Sequence, residues 1–197
     1  MKISVVTATY NREKLLPTLY KSLKKNYKTF KNFEWIIMDD GSEDNTGKNV
    51  SKWIEEVDFK IDYHYQKNQG KMAAINNAMK YVTGDIIMEI DSDDYLVDAA
   101  LKIVNEDYEK LDNDKVYGII YKRQLGKKDT TVDSSMNGKV IKLFDIHNKY
   151  GFDFDMNLTF KADIRKKYKY VLEHSEKFVT EARTYYKIDH DYDGLLF

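Results

Sequence analysis

The chain has 197 residues, enough for one domain or for one domain with a small appendage. Its 32 basic and 33 acidic side chains leave a formal net charge of −1, so we expect no general affinity for nucleic acid. The absence of cysteine excludes disulfides, thiolate metal sites and a cysteine nucleophile. The N-terminal apolar run is too short for a signal peptide and no stretch reaches the length of a membrane span. We expect a cytoplasmic protein, with contact at the inner face of the membrane left open.

Short apolar runs alternate with amphipathic segments through the first part of the chain. The predicted strands are 3–9, 35–38, 61–65, 86–90 and 116–121. Each intervening helix is predicted to bury one apolar face. The faces of the four helices, in chain order, are Leu15, Leu16, Leu19 and Leu23; Val50, Trp53, Ile54 and Val57; Ala74, Ile75, Ala78, Met79 and Val82; and Leu101, Ile103, Val104 and Tyr108. Strands that alternate with helices predict an α/β fold with a largely parallel sheet covered on both faces.

The alternation becomes weaker after Lys122. Strands are predicted at 140–144 and 156–160 and a helix at 178–188, within an otherwise irregular C-terminal part. Because no Pro- or Gly-rich linker separates the halves, the sequence predicts a single domain over 1–197. The acidic stretch 189–193 is interpreted as a solvated polar tail, with a second metal site as the alternative. The chain ends on apolar residues, and we expect an acceptor-binding or membrane-associating segment to follow Phe197.

Two common phosphate-binding motifs are absent from the places where they would be expected. Ligands of open parallel sheets bind beyond the carboxyl ends of the strands, but Thr7–Arg12 contains no glycine and cannot be a dinucleotide fingerprint. The segment 41–48 resembles a phosphate loop, yet it has one residue too many between its glycines and Asn49 where Ser or Thr should bind the metal. A bound nucleotide would therefore need another means of neutralising its phosphates.

Three carboxylates, Asp91, Asp93 and Asp94, follow the fourth predicted strand. Like charges at this spacing repel one another unless a positive group lies among them. Carboxylate oxygens suit Mg²⁺ or Mn²⁺, and Mg²⁺ typically binds one or two carboxylates together with substrate phosphates. The pattern predicts such an ion beside Asp91-Ser92-Asp93, facing a diphosphate. The alternative is that Asp93 or Asp94 caps the next helix.

Four polar segments in a fixed order accompany the predicted strands of the N-terminal half. They are Val5–Arg12, Trp35–Thr46, Asn68–Asn76 and Gly84–Asp94. Together they resemble the signature motifs of the family 2 glycosyltransferases, although each alone is a weak signal. The resemblance implies the GT-A fold, which is a Rossmann-like, mostly parallel sheet flanked by helices. It also implies a metal-dependent nucleotide-diphosphate-sugar donor, inversion at the anomeric carbon, a nucleotide-binding half at 1–95, and an acceptor and catalytic-base part at 96–197.

The resemblance also implies roles for the residues at the nucleobase. Tyr10 matches the aromatic that stacks on the base, with the backbone of 7–9 lining it; the alternative is an ordinary loop tyrosine. Asp40 matches the carboxylate that accepts a hydrogen bond from the imide N–H of the base, which favours UDP, whereas Asp39 supports the turn. A plain strand-to-helix turn is the alternative for this segment, because Asp, Gly and Ser all favour turns.

A second group of roles concerns the diphosphate. Gly70 would allow close backbone approach, and Lys71 would meet a phosphate or ribose oxygen unless it is a solvated surface lysine. Asp91 would hold the ribose or the metal, and Asp93 would ligate the metal directly. The complete predicted set for the donor is Thr7, Ala8, Thr9, Tyr10, Arg12, Asp40, Gly70, Lys71, Asp91 and Ser92, with Asp91 and Asp93 on Mn²⁺ or Mg²⁺.

An inverting transfer needs a base that takes the proton of the attacking hydroxyl. The stretch 178–183 resembles the place where relatives carry it, so Glu181 is the predicted base and Glu176 and Asp155 are the alternatives. Glu181 would also suit the first turn of a helix without any catalytic role.

The predicted function is transfer of a hexose-type sugar from a UDP-sugar to a hydroxyl of a glycan, lipid-linked or polysaccharide acceptor in surface polysaccharide or glycan assembly. One alternative is a non-catalytic module that binds sugar nucleotides. The other is a sugar-phosphate nucleotidyltransferase, although the glycine- and arginine-rich loop typical of that class is missing after the first strand.

Overall fold

The structure is a computed structural model that describes residues 1–122, 137–151, 155–172 and 179–197. The chain packs as two compact units. The first comprises Met1–Leu111 and Tyr170–Val179, and the second comprises Asp112–Lys169 and Thr180–Phe197. Residues 96–111 thus belong with the nucleotide-binding half predicted at 1–95. The prediction of a single domain over the whole chain stays a prediction.

The first unit is built around a parallel sheet. Its strands are β1 (Ile3–Thr9), β2 (Phe33–Asp39), β3 (Lys60–Tyr65) and β4 (Ile86–Glu89), and its helices are α1 (Leu16–Asn26), α2 (Thr46–Glu56), α3 (Lys71–Ala78) and α4 (Ala100–Glu109). β1 pairs with β2 and β4, and β2 pairs with β3, all in parallel. Nearly every residue of β1 and β2 is buried, as expected for parallel strands covered on both faces. The four predicted strands are confirmed to within two residues at each end.

The predicted helices are also present, but some residues assigned to their buried faces are exposed. Leu15 lies just before α1 and is 41% exposed, while Ile54 and Ile103 are 45% and 46% exposed on α2 and α4. On α2 the side facing the sheet is filled by Trp53, whose ring stacks on Trp35 of β2 with centroids 6.1 Å apart. Because this large ring covers the contact, the neighbouring isoleucine is not needed there.

The second unit contains a mixed sheet rather than a parallel one. Its strands are β5 (Val116–Lys122), β6 (Lys139–Ile141), β7 (Met156–Lys161) and β8 (Asp193–Leu196), and its helices are α5 (Leu143–Asn148), α6 (Ala162–Arg165) and α7 (Glu181–Asp191). β5 pairs in parallel with β8 and antiparallel with β7, and β6 pairs antiparallel with β8. The strand predicted at 140–144 is wrong beyond Ile141, because Leu143 and Ile146 turn into the core as the buried face of α5.

The acidic stretch 189–193 is not a solvated tail. Asp189 is 3% exposed, and its carboxylate accepts hydrogen bonds from the backbone N–H groups of Leu143 at 2.5 Å and Phe144 at 3.2 Å. Burial raises the pKa of Asp189, although these hydrogen bonds oppose the shift. Lys142 adds an ion pair with Asp193, with Nζ 2.8 Å from the carboxylate. The stretch therefore anchors the start of α5 and leads into β8, which lies between β5 and β6.

Within the described ranges, no helix is long and apolar enough to cross a membrane.

A buried carboxylate ties together the starts of the strands in the first unit. Glu34 on β2 is fully buried and accepts hydrogen bonds from Ser4 Oγ at 2.7 Å and from the backbone N–H of Thr83 at 2.8 Å. Lys2 Nζ lies 2.8 Å from its other oxygen. Burial alone would raise the pKa of Glu34, but the hydrogen bonds from Lys2, Ser4 and Thr83 outweigh it and lower the pKa from 4.5 to about 2.

Glu34→Gln is expected to destabilise the protein in a pH-dependent way. The ionised carboxylate contributes fully above the unfolded pKa of 4.5, and the contribution is lost as the pH falls through the folded value of about 2. We expect the free energy of unfolding of the variant to be lower by about 3 kcal/mol at pH 7. That difference should shrink steadily below pH 4.5.

Urea unfolding at a series of pH values measures this difference. Glu55→Gln, at an exposed position on α2, is the matched control and should change stability little at any pH. A destabilisation by Glu34→Gln that stays the same down to pH 3 would show that the charge of the carboxylate is not its cause.

Candidate functional site

A pocket of about 530 Å³ lies in the first unit, beyond the carboxyl ends of β1, β2 and β4. It is lined by Ala8, Thr9, Tyr10, Arg12, Asp40, Asn68, Gly70, Lys71, Asp91, Ser92 and Asp93. This volume falls within the range of small-molecule sites. With one exception, the residues predicted to contact the donor or its metal in this unit line the pocket.

The exception is Thr7, which is a core residue. It is fully buried and its Oγ1 accepts a hydrogen bond from Trp35 Nε1 at 3.0 Å. The pattern of side chains along a strand alternates between faces, so Thr7 and Thr9 share one face and only the second reaches the end of the strand. Asn68 lines the pocket although it was not in the predicted set; its place in the third motif was the signal for it.

Asp39 shapes the turn that leads out of β2. It is fully buried, and its two oxygens accept hydrogen bonds from the backbone N–H of Ser42 at 2.7 Å and from the hydroxyl of Tyr63 at 2.6 Å. Burial is the largest cause that raises the pKa of Tyr63, and the hydrogen bond to Asp39 raises it further. Gly47 leaves room for the phenol, since a Cβ there would lie 2.8 Å from the Tyr63 oxygen.

Asp40 holds the loop that precedes α3. Its Oδ1 accepts hydrogen bonds from Gln66 Nε2 at 2.7 Å and from the backbone N–H of Gln69 at 2.9 Å. Its Oδ2 accepts one from the N–H of Gly70 at 2.7 Å. Gly70 has a φ of +96°, a left-handed conformation that favours glycine. The carboxylate, which is only 3% exposed, therefore joins the end of β2 to the loop before α3.

The loops after β1 and β2 support each other beside the pocket. The N–H of Asn11 donates to Ser42 Oγ at 2.8 Å, and the N–H of Glu43 donates to Asn11 Oδ1 at 2.8 Å. The N–H of Arg12 donates to Thr46 Oγ1 at 2.9 Å. These contacts fix the backbone on both sides of Asn11, so the neighbouring Tyr10 ring, 47% exposed, is carried on an ordered loop.

One hydroxyl on the pocket wall has no partner. Thr9 is 2% exposed, and its buried Oγ1 makes no hydrogen bond to any residue that the structure describes. A buried polar atom left in this way is uncommon in folded proteins.

The positive group beside the acidic cluster is a lysine. Lys71 Nζ, at the start of α3, lies 2.7 Å from Asp91 Oδ1, and both side chains are partly exposed. The interpretation of Asp93 or Asp94 as a helix cap is wrong, because α4 begins at Ala100 and Ala99 occupies its N-cap position. Of the three carboxylates, Asp91 and Asp93 line the pocket, and Lys71 forms an ion pair with Asp91.

A divalent cation fits this cluster only if it has other ligands as well. In the part of the chain that the structure describes, no group of three or more His, Asp or Glu side chains is arranged to hold a metal ion. Two carboxylates on a pocket wall match the way Mg²⁺ is usually bound, with substrate phosphates completing the coordination. The same finding gives no support to a second metal site at 189–193.

Two of the three candidate bases, Glu181 and Asp155, belong to the second unit. Glu181 is the first residue of α7, a half-buried acid in the first turn, where the helix dipole favours a negative charge. Asp155 is exposed just before β7. The third candidate, Glu176, lies outside the described residues.

The family model for glycosyl transferase family 2 matches residues 4–172. The chain belongs to this family. Sequence relatives include an uncharacterized glycosyltransferase of Mycoplasma pneumoniae, 37% identical over 59% of this chain and 40% of the relative. They also include the poly(ribitol-phosphate) beta-N-acetylglucosaminyltransferase TarS of Staphylococcus aureus, 34% identical over 52% of this chain and 18% of the relative. The chain thus spans less than half the length of these relatives.

Solved glycosyltransferase structures share the fold. The crystal structure of S. aureus TarS 1–349 in complex with UDP-GlcNAc matches with a TM-score of 0.72 at 21% identity, covering all of this chain and 56% of that one. The mannosyltransferase PcManGT of Pyrobaculum calidifontis, in complex with GDP-Man and Mn²⁺, matches with a TM-score of 0.69 at 17% identity, covering all of this chain and 54% of that one. The predicted GT-A α/β fold is confirmed.

Tyr63→Phe tests whether the turn after β2 depends on the buried Asp39. The variant removes one hydrogen bond to a carboxylate that water cannot reach, so we expect the free energy of unfolding to fall by about 1–3 kcal/mol. Tyr65→Phe on the same strand is the matched control, because Tyr65 is 62% exposed. It should change stability by less than about 0.5 kcal/mol. Urea unfolding compares the two, and equal losses would contradict the role given to Asp39.

Proposed function

We propose that this family 2 protein is an inverting glycosyltransferase that uses a UDP-sugar, moving a hexose-type sugar to a hydroxyl acceptor. The observation that carries the proposal is the meeting of two sets of groups in one pocket. Tyr10 and Asp40 suit a nucleobase, while Lys71, Asp91 and Asp93 suit a diphosphate and its cation. The crystal structures of TarS in complex with UDP-GlcNAc and of PcManGT in complex with GDP-Man support the choice of ligand class.

The base end of the pocket is suited to a ring with an N–H group. A carboxylate offers about four acceptor positions, and three of those on Asp40 are used by the Gln66 side chain and the backbone of 69–70. The remaining position can accept the imide N–H of uracil. The Tyr10 ring, 47% exposed, supplies a flat surface for stacking.

The phosphate end of the pocket carries charged side chains that can change partners when a diphosphate binds. A diphosphate brings negative charge beside Asp91 and Asp93, which requires positive charge in return. Lys71 already lies 2.7 Å from Asp91, and its flexible side chain can turn its amine to a phosphate oxygen. Asp91 and Asp93 would hold Mn²⁺ or Mg²⁺, which as a Lewis acid stabilises the charge that grows on the leaving diphosphate.

Proton removal from the acceptor is assigned to Glu181, with Asp155 as the alternative among the described residues. A carboxylate in this role takes the hydroxyl proton as the new glycosidic bond forms. The acceptor is proposed to be a glycan, lipid-linked or polysaccharide hydroxyl in surface polysaccharide assembly; the relative TarS is a poly(ribitol-phosphate) beta-N-acetylglucosaminyltransferase. A cytoplasmic location at the inner face of the membrane is part of the same proposal.

A thermal-shift panel of nucleoside diphosphates and their sugars, each with and without Mn²⁺ or Mg²⁺, tests the donor. A ligand at one hundred times its Kd stabilises by about 2.7 kcal/mol, which for a chain of this size raises the Tm by about 5–10 °C. We expect the largest shift from UDP or a UDP-sugar with a divalent cation. A panel in which no nucleotide shifts the Tm would contradict the proposal.

Asp93→Ala tests the cation within the same panel. The variant is expected to lose the part of the UDP shift that depends on Mn²⁺, because a direct ligand is gone. Asp98→Ala is the control, since the Asp98 side chain is 80% exposed and does not line the pocket. An unchanged cation dependence in Asp93→Ala would remove Asp93 from the metal site.

Glu181→Gln separates binding from transfer. If Glu181 is the base, we expect UDP affinity to change less than about two-fold while the transfer rate falls by about 10²–10⁴-fold. Asp155→Asn and Glu55→Gln, assayed beside it, serve as the alternative base and as an exposed control. Turnover close to wild type in Glu181→Gln, with a loss in Asp155→Asn, would move the base to residue 155.

A further inference from the structure

A chain of side-chain hydrogen bonds runs from the end of α3 to Asp40. Lys80 Nζ donates to Asn77 Oδ1 at 2.9 Å, and Asn77 Nδ2 donates to Gln66 Oε1 at 2.9 Å. Gln66 Nε2 then donates to Asp40 Oδ1 at 2.7 Å. Neither Gln66 nor Asn77 lines the pocket, so the chain reaches it only through Asp40. We name this set, Lys80–Asn77–Gln66–Asp40, the amide relay.

The direction of the amide relay is fixed by its two ends. A lysine ammonium can only donate, so the atom of Asn77 that faces Lys80 must be the carbonyl oxygen, which turns the NH₂ of Asn77 towards Gln66. The Gln66 carbonyl takes that hydrogen bond, and the Gln66 NH₂ is left to face Asp40. An inverted Gln66 would place two NH₂ donors against each other at Asn77 and two acceptors against each other at Asp40.

The consequence for Asp40 is that each of its protein partners is a donor. Gln66 and the backbone N–H groups of Gln69 and Gly70 all require lone pairs on the carboxylate. Asp40 therefore presents only acceptor character to the pocket that it lines. A pyrimidine with an N–H at its ring position 3, as in uracil, can donate to it. Cytosine carries a lone pair at that position, so the two acceptors repel.

We propose that Gln66 and Asn77 are positioning residues that set the preference of the donor site for uracil over cytosine by holding Asp40 as an acceptor. This inference rests on the proposed function, in which Asp40 meets the nucleobase. Without the NH₂ of Gln66, Oδ1 of Asp40 keeps only the backbone N–H of Gln69, so the carboxylate is held less firmly in the orientation that sets its lone pairs against cytosine. Loss of the relay should therefore reduce discrimination more than it reduces affinity.

Binding of UDP and CDP, measured by calorimetry at one Mn²⁺ concentration, tests this directly. The two ligands have the same ribose and diphosphate, so contacts at the phosphate end cancel in the ratio of Kd for CDP to Kd for UDP. We expect the wild-type protein to favour UDP by about 10–100-fold, the size expected for an unmatched polar contact in a site built to pair. Gln66→Leu should lower the ratio by about ten-fold and Asn77→Ala by about three-fold.

Asn76→Ala is the matched control. Asn76 neighbours Asn77 on α3 and also makes two hydrogen bonds, but to the backbone of Tyr170 at 2.8 and 2.9 Å and not to the relay. It should lower stability without changing the ratio by more than about two-fold. Urea unfolding shows whether each variant is folded. If Gln66→Leu does not fold, the comparison is made with Asn77→Ala alone.

The outcomes separate the two proposals. Variants that weaken UDP and CDP by the same factor would show that the relay is only structural, leaving the donor site intact. A wild-type protein that binds UDP no better than CDP would show that Asp40 does not distinguish uracil from cytosine. That result would overturn both the proposed contact of Asp40 with the base and the inference built on it. A wild-type protein that binds neither would contradict the proposed function itself.

Discussion

Two neighbouring carboxylates at the end of β2 determine the shape of the pocket. Because side chains alternate along a strand, Asp39 and Asp40 point in opposite directions and can be satisfied by different partners. Asp39 is bound by Ser42 and Tyr63, which closes the turn, and Asp40 is bound by the loop before α3. Both are almost completely buried, so an unmet hydrogen bond at either would be costly. The pocket wall therefore follows from the need to satisfy two buried charges.

The N-terminal half of the fold could be predicted because each of its elements is specified by a short, continuous stretch of sequence. Three of the four strands of the first unit, β1, β2 and β4, are short and mostly apolar runs, and the polar residues that follow them meet at one sheet edge by the geometry of parallel strands. The residues of the pocket could thus be named from spacing and family resemblance together. The relay residues Gln66 and Asn77 could not be named in this way, because the sequence around an amide side chain does not indicate which distant carboxylate it contacts.

The second unit was harder to predict because its order comes from contacts distant in the sequence. Asp189 belongs to an acidic stretch that has the composition of a tail, yet it is buried against the start of α5, 46 residues away in the chain. β8 has only four residues, too few for a periodic pattern, and its pairing with both β5 and β6 gives it an interior position. A strand of that length is specified by its neighbours rather than by its own sequence.

The two ends of the pocket differ in how easily they can rearrange, and the difference suits their proposed tasks. The Asp40 network is buried and made of several short hydrogen bonds, so displacing it would leave unsatisfied groups worth about 1–3 kcal/mol each. The Lys71–Asp91 pair has side chains 36% and 47% exposed, and such pairs contribute about 0–1 kcal/mol. A ligand that supplies new charge can therefore separate that pair at little cost. The proposed function accordingly assigns recognition of the base to the rigid end and accommodation of a diphosphate with its cation to the end that rearranges more easily.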